Sequence, residues 1–382
     1  MRIALLTTDS REHYKDYGNS MPYFGTAPEA LLQGLARLKE VEVHVVSCSR
    51  APMKSPEKIA PNIFFHDLMV PKIGWMSSLY QGCIRATRRK LREIRPDIVH
   101  GQGTERDCAI SAVCSGFPNV LTIHGNMRLI AKVNQVKPFS FFWLAAGLER
   151  LTVPRSQGVI CITHYTQSAV ADMAKQTWVV PNAVDESFFA VHPQPFSAGR
   201  LPRILCVGLV CLRKNQNAFI RALDALNPQG KFEVVFLGMA RAGQAYDDEF
   251  FQLVRERSWC VYGGMADREQ LKEYLQQATA LALPSLEDNC PMVVLEAMAV
   301  GVPVLAAKVG GLPDLIEDGK TGYFCDPLDA RSMAEGVARI LQDNPAAMSL
   351  AREAREQALT RYSPEVIARR HVEIYREVLA KK

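Results

Sequence analysis

At 382 residues the chain is long enough for two domains of ordinary size, each burying its own core, and its 48% hydrophobic, 22% charged composition excludes a disordered or fibrous protein. No apolar run approaches the ~20 residues needed to cross a bilayer, and Arg2 leads into a short apolar run that reads as a strand rather than a signal peptide. The net charge of +5 is unevenly placed: residues 1–190 hold 22 Lys and Arg against 16 Asp and Glu, residues 191–382 hold 23 against 24, so an anionic surface would meet the first half.

In chain order, strands are expected at Ile3–Thr7, Val41–Ser47, Ile98–His100, Val120–His124, Val159–Thr163 and Trp178–Val180. Helical spacing appears at Pro28–Leu38 and in the basic segment Arg85–Arg95, and the apolar Phe139–Leu148 reads as a core helix. A proline-rich stretch without periodicity, Val191–Pro202, then interrupts the pattern. It resumes with strands at Arg203–Val207, Glu233–Leu237, Trp259–Tyr262, Ala280–Leu283, Pro303–Ala307 and Tyr323–Cys325, with helices at Arg268–Gln277 and Pro364–Lys382. Strands that are continuously apolar, without polar alternation, are buried on both faces, as in parallel sheets covered by helices. The expectation is therefore an α/β protein with two doubly wound parallel-sheet domains. They would be residues 1–190 and 203–363, joined by a linker at 191–202, with the segment from Pro364 free to join either half or pack back on the first. Ligands of such sheets bind at the carboxyl ends of the strands, so two facing domains would make a central cleft.

The most informative stretch is Pro284–Phe324, PSLEDNCPMVVLEAMAVGVPVLAAKVGGLPDLIEDGKTGYF. Asp288 and Glu296 bracket a helix start, with Asn289, Cys290, Pro291 and Met292 following Asp288. Pro291 suits a first helical position, and the free N–H groups of that turn can hold an anion. Carboxylates beside an anion site fit a ligand carrying hydroxyls as well as phosphates, as a nucleotide sugar does. Arg213 and Lys214, just after the strand ending at Val207-Gly208, suit a diphosphate, Arg by its bidentate fork and Lys as a movable charge. By spacing alone they equally describe a solvated basic pair, Asp288 a helix cap, and Glu296 an edge charge.

Ten cysteines lie scattered, with no CxxC or His/Cys cluster at metal spacing, and read as buried free thiols. Asp247-Asp248-Glu249 reads as a solvated helix start, so no metal is expected. Gly101-x-Gly103 lacks the third glycine of a dinucleotide-binding turn.

Together these segments resemble the retaining glycosyltransferases of the two-Rossmann-domain (GT-B) type. The likeness is to the large family 4-like, group 1 family with a C-terminal E-x7-E motif and an EAMA-GVPV run. Besides Asp288–Glu296, it is carried by VGLVCLRKNQNAFIRAL (Val207–Leu223), WVVPNAVDESFF (Trp178–Phe189), RPDIVHGQGT (Arg95–Thr104) and LTIHG (Leu121–Gly125), in the family's order along nearly the whole chain. The resemblance implies retaining, metal-independent and cofactor-free transfer of a sugar from a UDP- or GDP-sugar to a glycan, lipid-linked or small-molecule acceptor. Glu296 would accept hydrogen bonds from the ribose hydroxyls and Asp288 from the transferred sugar. Backbone amides of Asn289, Cys290, Pro291's neighbour Met292 and the turn at Gly208 would face the donor. Arg213 and Lys214 would neutralise the diphosphate, and His124 would approach the sugar from the first domain. Gly25 and Thr26 would meet the diphosphate or acceptor, and the base is expected near Tyr262, Gly263 and Met265. The sequence departs from the family pattern where Asp288 replaces the first glutamate, where DNCP replaces a glycine-rich loop, and where Phe24-Gly25-Thr26 holds one glycine.

A nucleotide-sugar epimerase or isomerase and a non-catalytic nucleotide-sugar-binding subunit are the alternatives. A nucleic-acid partner is not expected. The Arg85–Arg95 segment, with six basic residues and one acidic, reads either as a core-packed helix with a basic solvent face or as an attachment to anionic lipid. Its apolar side would be Trp75, Leu79, Cys83, Leu91 and Ile94, and the expected location is cytoplasmic, peripheral at the inner membrane face.

Overall fold

In the computed structural model, which describes residues 1–133, 135–194, 201–227 and 229–381, the apolar runs form two sheets. The first contains β1 (Arg2–Leu6), β2 (Glu42–Ser49), β3 (Lys58–Ala60), β4 (Ile63–Met69), β5 (Ile98–Gln102), β6 (Asn119–Ile123), β7 (Gly158–Cys161) and β8 (Thr177–Val179). Its strand order is β3-β4-β2-β1-β5-β6-β7-β8, parallel except for the edge strand β3. The second contains β9 (Arg203–Val207), β10 (Glu233–Leu237), β11 (Cys260–Gly264), β12 (Ala280–Leu283), β13 (Val304–Ala307) and β14 (Tyr323–Cys325), in the order β11-β10-β9-β12-β13-β14 and wholly parallel.

Both orders reverse at a central pair, β1 beside β5 and β9 beside β12. Successive crossovers leave on opposite sides of such a pair, which opens a crevice at the strands' carboxyl ends. β7, β12 and β13 are buried at every residue, as their unbroken apolar runs require, and β5 and β6 are equally buried although they carry His100, Gln102, Asn119 and Thr122.

The chain divides into two compact units, Met1–Ala183 with Ser363–Lys382, and Val184–Tyr362. The division falls at Ala183 and Val184 rather than in the proline-rich stretch, of which residues 195–200 lie outside the described residues. The Val184 N–H donates to Tyr362 O at 2.9 Å, so the entry and exit of the second unit are tied together. In the first unit the helix Pro364–Ala380 packs on the helix Thr26–Ala36. Contact is close at Gly34, where a Cβ would stand 1.9 Å from Pro364 O and 2.8 Å from the Ala368 methyl. Ile367, Val372, Ile374, Tyr375 and Val378 complete the core over Ile3, Leu5, Val43 and Ile98.

β3 and β4 were not expected from the sequence. Phe139–Leu148 is not a core helix: the helix is Phe141–Thr152, with Ala145, Ala146 and Leu148 buried but Phe139, Phe141, Phe142 and Trp143 exposed. Leu79 does not join the apolar side of the basic helix and is 55% exposed, whereas Trp75, Cys83, Leu91 and Ile94 are buried.

Candidate functional site

β9 ends at Val207, and the chain then passes Gly208 into a short 3-10 turn, Leu212–Lys214. Asn215 leaves that turn in the left-handed conformation, its side-chain amide donating to Pro327 O at 2.8 Å. The turn is thereby fixed, with the Lys214 stem lying along Gly208.

β12 ends at Leu283, and the loop after it runs beside this turn. The Leu286 N–H donates to Arg213 O at 2.8 Å. Lys214 Nζ donates to Asp288 Oδ2 at 2.5 Å, and Ser285 Oγ donates to the same oxygen at 3.0 Å. Arg213 Nη1 donates to Glu287 O at 2.8 Å and lies 3.5 Å from Asp288 Oδ1. The Arg213 side chain remains 37% exposed, which leaves guanidinium N–H groups available to a ligand. Burial holds the Glu287 carboxyl above its ordinary range, partly offset by Arg213.

The double-glycine turn Gly310-Gly311 supports the same loop from the far side. Gly311 N–H donates to Asp288 O at 3.0 Å. Gly310 has φ +55, and a Cβ there would stand 1.8 Å from that carbonyl oxygen, so both the conformation and the space require glycine.

The helix that follows is Met292–Val300, and Pro291 is its N-cap rather than its first residue as expected. The cap has no side-chain hydrogen bond, and the Pro291 carbonyl accepts from Val294 N–H at 3.1 Å. The N–H groups of Met292 and Val293 therefore have no partner within the helix, and they carry the positive end of its dipole. At the other end the Arg355 guanidinium donates to the carbonyls of Ala299 and Val300, and also to Phe189 and Val191.

Glu296 is the charged residue of this otherwise apolar helix and is 5% exposed. Among the described residues its carboxylate has no hydrogen-bond partner. Burial pushes it up to about 7; the Arg268 guanidinium draws it down and the Asp185 carboxylate raises it. Arg268 and Asp185 are themselves paired at 2.6 Å. Neither was singled out in the sequence, although Asp185 lies in the PN-x-VD run.

The base is expected near the end of β11. The Tyr262 hydroxyl donates to Gly238 O at 2.9 Å and accepts from Ala240 N–H at 3.1 Å, and its ring packs edge-on against Phe250 and Phe251. That side chain is spent on the core, while Gly263 and Met265 are exposed. Asp247 and Asp248 accept the backbone N–H groups of Arg241 and Gly243, and Glu249 pairs with Arg221.

In the first unit His124 follows the last residue of β6, its Nε2–H donating to Gln102 Oε1 at 2.7 Å. Burial pulls the imidazole down to about 4, against a hydrogen bond with Asn182 that raises it, so it is neutral near pH 7. Gln102 continues to His100, which is bonded to Tyr375 at 2.6 Å and Thr122 at 2.7 Å. Gly25 caps the helix Thr26–Ala36 with an ordinary φ of −59, and both Gly25 and Thr26 are exposed.

Two family models match in tandem: Glycosyltransferase Family 4 over residues 27–188 and Glycosyl transferases group 1 over residues 189–357. The chain belongs to the group 1, family 4-like glycosyltransferases. It is 30% identical over 174 residues to an uncharacterized glycosyltransferase of Methanocaldococcus jannaschii, a match covering 45% of this chain and 44% of that protein. The chain thus matches less than half the length of that relative. Among solved structures, sucrose-phosphate synthase from Thermosynechococcus elongatus superposes with a TM-score of 0.78 at 20% identity, over all of both chains. Anabaena HepE in complex with UDP and glucose superposes at 0.71 and 18% identity, covering 99% of this chain and 100% of that one. The chain shares their GT-B fold of two parallel-sheet α/β domains.

Proposed function

We propose that this glycosyltransferase moves a sugar from a UDP- or GDP-sugar to an acceptor hydroxyl with retention of anomeric configuration, in glycan, polysaccharide or glycolipid synthesis. The observation that carries the reading is the meeting of Arg213 and Lys214 with Asp288 across the β9–β12 reversal, beside an uncapped helix start. As the C1–O bond breaks, the departing diphosphate gains negative charge and the sugar gains oxocarbenium character. Preorganised cations and backbone N–H groups stabilise the first. Arg213, Lys214 and the amides of Met292 and Val293 take that role, and Asp288 accepts from sugar hydroxyls. The partnerless, buried carboxylate of Glu296 accepts from the ribose. The departing phosphate takes the acceptor's proton, so the transfer step uses no metal and no cofactor.

HepE, a fold relative, forms a complex with UDP and glucose, which favours a uridine donor as the first to test. Thermal-shift screening against UDP, GDP, ADP and their sugars is the direct measurement. A clear rise in Tm with UDP or GDP is expected, and no shift with any of them would sink the donor assignment. Glu296→Ala should abolish turnover; unaltered turnover would remove the ribose role.

The first unit's contact with a membrane surface is a further part of the reading. Helix Gln81–Ile94 buries Cys83, Ile84, Thr87, Leu91 and Ile94 and exposes Arg85, Arg88, Arg89 and Arg92, just after exposed Ile73 and Leu79. Cations beside exposed apolar side chains suit anionic lipid at the inner, cytoplasmic face. Among the described residues no helix is long and apolar enough to cross a membrane. Co-sedimentation with acidic but not neutral vesicles is expected, and no binding at low salt would end the idea.

A further inference from the structure

Cys48 lies near the end of β2, Cys83 in the first turn of helix Gln81–Ile94, and Asp107 opens helix Asp107–Val113. Far apart in sequence, they converge in the first unit: one ligand atom from each, two sulfurs and a carboxylate oxygen, lie within 4.8 Å of one another, and all three residues are buried.

We propose that Cys48, Cys83 and Asp107 form a binding site for one thiophilic divalent cation of the zinc class, separate from the donor residues of the second unit. Two sulfurs select a soft or borderline ion over magnesium or calcium, which take oxygen ligands. A tetrahedral ion held by two thiolates and one carboxylate keeps a fourth position for water. Each ligand comes from a different element, so the ion pins strand, basic helix and following helix at one corner of the sheet. The Thr87 hydroxyl, 3.9 Å from Cys48 Sγ, supplies an outer contact that orients a thiolate.

Charge balance favours the ion. Two neutral thiols and one carboxylate carry one negative charge. Binding releases two thiol protons to solvent and adds one dication, so the corner again carries one negative charge. The exchange adds no net charge to a buried site, which a magnesium site of carboxylates alone could not claim.

The test is titration of the full-length, reduced, metal-stripped protein with cobalt(II) and cadmium(II). One equivalent per chain should bind, with a thiolate-to-metal charge-transfer band and the strong visible bands of tetrahedral cobalt. Cys83→Ser should abolish the thiolate pair's band, Asp107→Asn should weaken affinity by about tenfold or more, and Cys114→Ser, a half-buried thiol outside the cluster, should change neither. Bound cadmium should also protect Cys48 and Cys83, but not Cys114, from alkylation in the wild-type chain. If Cys83→Ser fails to fold, Asp107→Asn and the protection pattern decide. A wild-type chain that takes up no cadmium, or a band that survives Cys83→Ser, overturns the proposal.

Discussion

Glu296 carries the sharpest consequence at the scale of single residues. Its folded-state value of about 7 lies above the ordinary 4.5, so between those pH values the folded chain holds a proton that the unfolded chain has lost. Stability from this group is full below about pH 4.5 and is lost as pH rises to about 7, an effect of roughly 3 kcal/mol before relaxation. Glu296→Gln, neutral throughout, should therefore gain stability over the wild type at pH 8 and lose the advantage at pH 4, as read by urea denaturation at both values. The sign reverses for the proposed ribose contact, because hydroxyls would donate to the ionised form. Binding of UDP near pH 6.5 should release protons, visible as a calorimetric enthalpy that varies with the buffer's ionisation enthalpy. An enthalpy independent of buffer would separate Glu296 from the nucleotide. Lys214 is the companion case. Lys214→Met keeps the stem along Gly208 and leaves Asp288 with Ser285 and, at 3.5 Å, Arg213, so the chain should still fold, with a lowered Tm for the lost partner of a nearly buried carboxylate. Turnover should fall by about 100-fold or more, as when one preorganised donor to a developing anion is removed.

At the scale of elements, the loop Ser285–Pro291 is held from both sides, by Arg213 through Leu286 and by Gly311 through Asp288. Gly310→Ala would drive a methyl into the Asp288 carbonyl in a conformation that alanine resists, at a cost of about 2–4 kcal/mol. The displaced loop carries the partner of Lys214, so nucleotide affinity should fall with Tm. A variant with lower Tm and unchanged affinity would show that the turn supports the fold alone. Much of this was legible in the chain: strand, polar loop, helix and double glycine were read in order, because buried parallel strands are unbroken apolar runs. β4 escaped because Ile63–Met69 holds half-buried His66 and Asp67 in place of such a run, and β3 because it is a short, partly exposed edge. Pro291 was misplaced by one position, since proline's fixed φ suits a cap and a first turn alike. The pairing of Lys214 with Asp288, and the convergence of Cys48, Cys83 and Asp107, depend on which strands are neighbours, and no spacing in the sequence encodes that.

At the scale of the whole molecule, chain order and domain membership part company: the last helix belongs to the first unit. Trp178 Nε1–H donates to Glu377 at 2.7 Å, and Tyr375 anchors the His100–Gln102–His124 network behind β6. Ending the chain at Tyr362 would strip Ile367, Val372, Ile374 and Val378 from the core and leave His100 without its phenol. A buried aliphatic side chain lost to water costs roughly 2 kcal/mol, so the four together remove about 8 kcal/mol, comparable to the 5–15 kcal/mol that holds a typical domain. The second unit loses none of its own residues, and the donor residues proposed above all lie in it. The truncated chain should therefore show rapid amide exchange across residues 1–183 while residues 184–362 stay protected. It should still bind UDP or GDP, with transfer lost. Protection retained over β1, β2 and β5 after truncation would mean that the sheet of the first unit is stable without its last helix, and that Gly34 and Ala368 touch without that contact being needed.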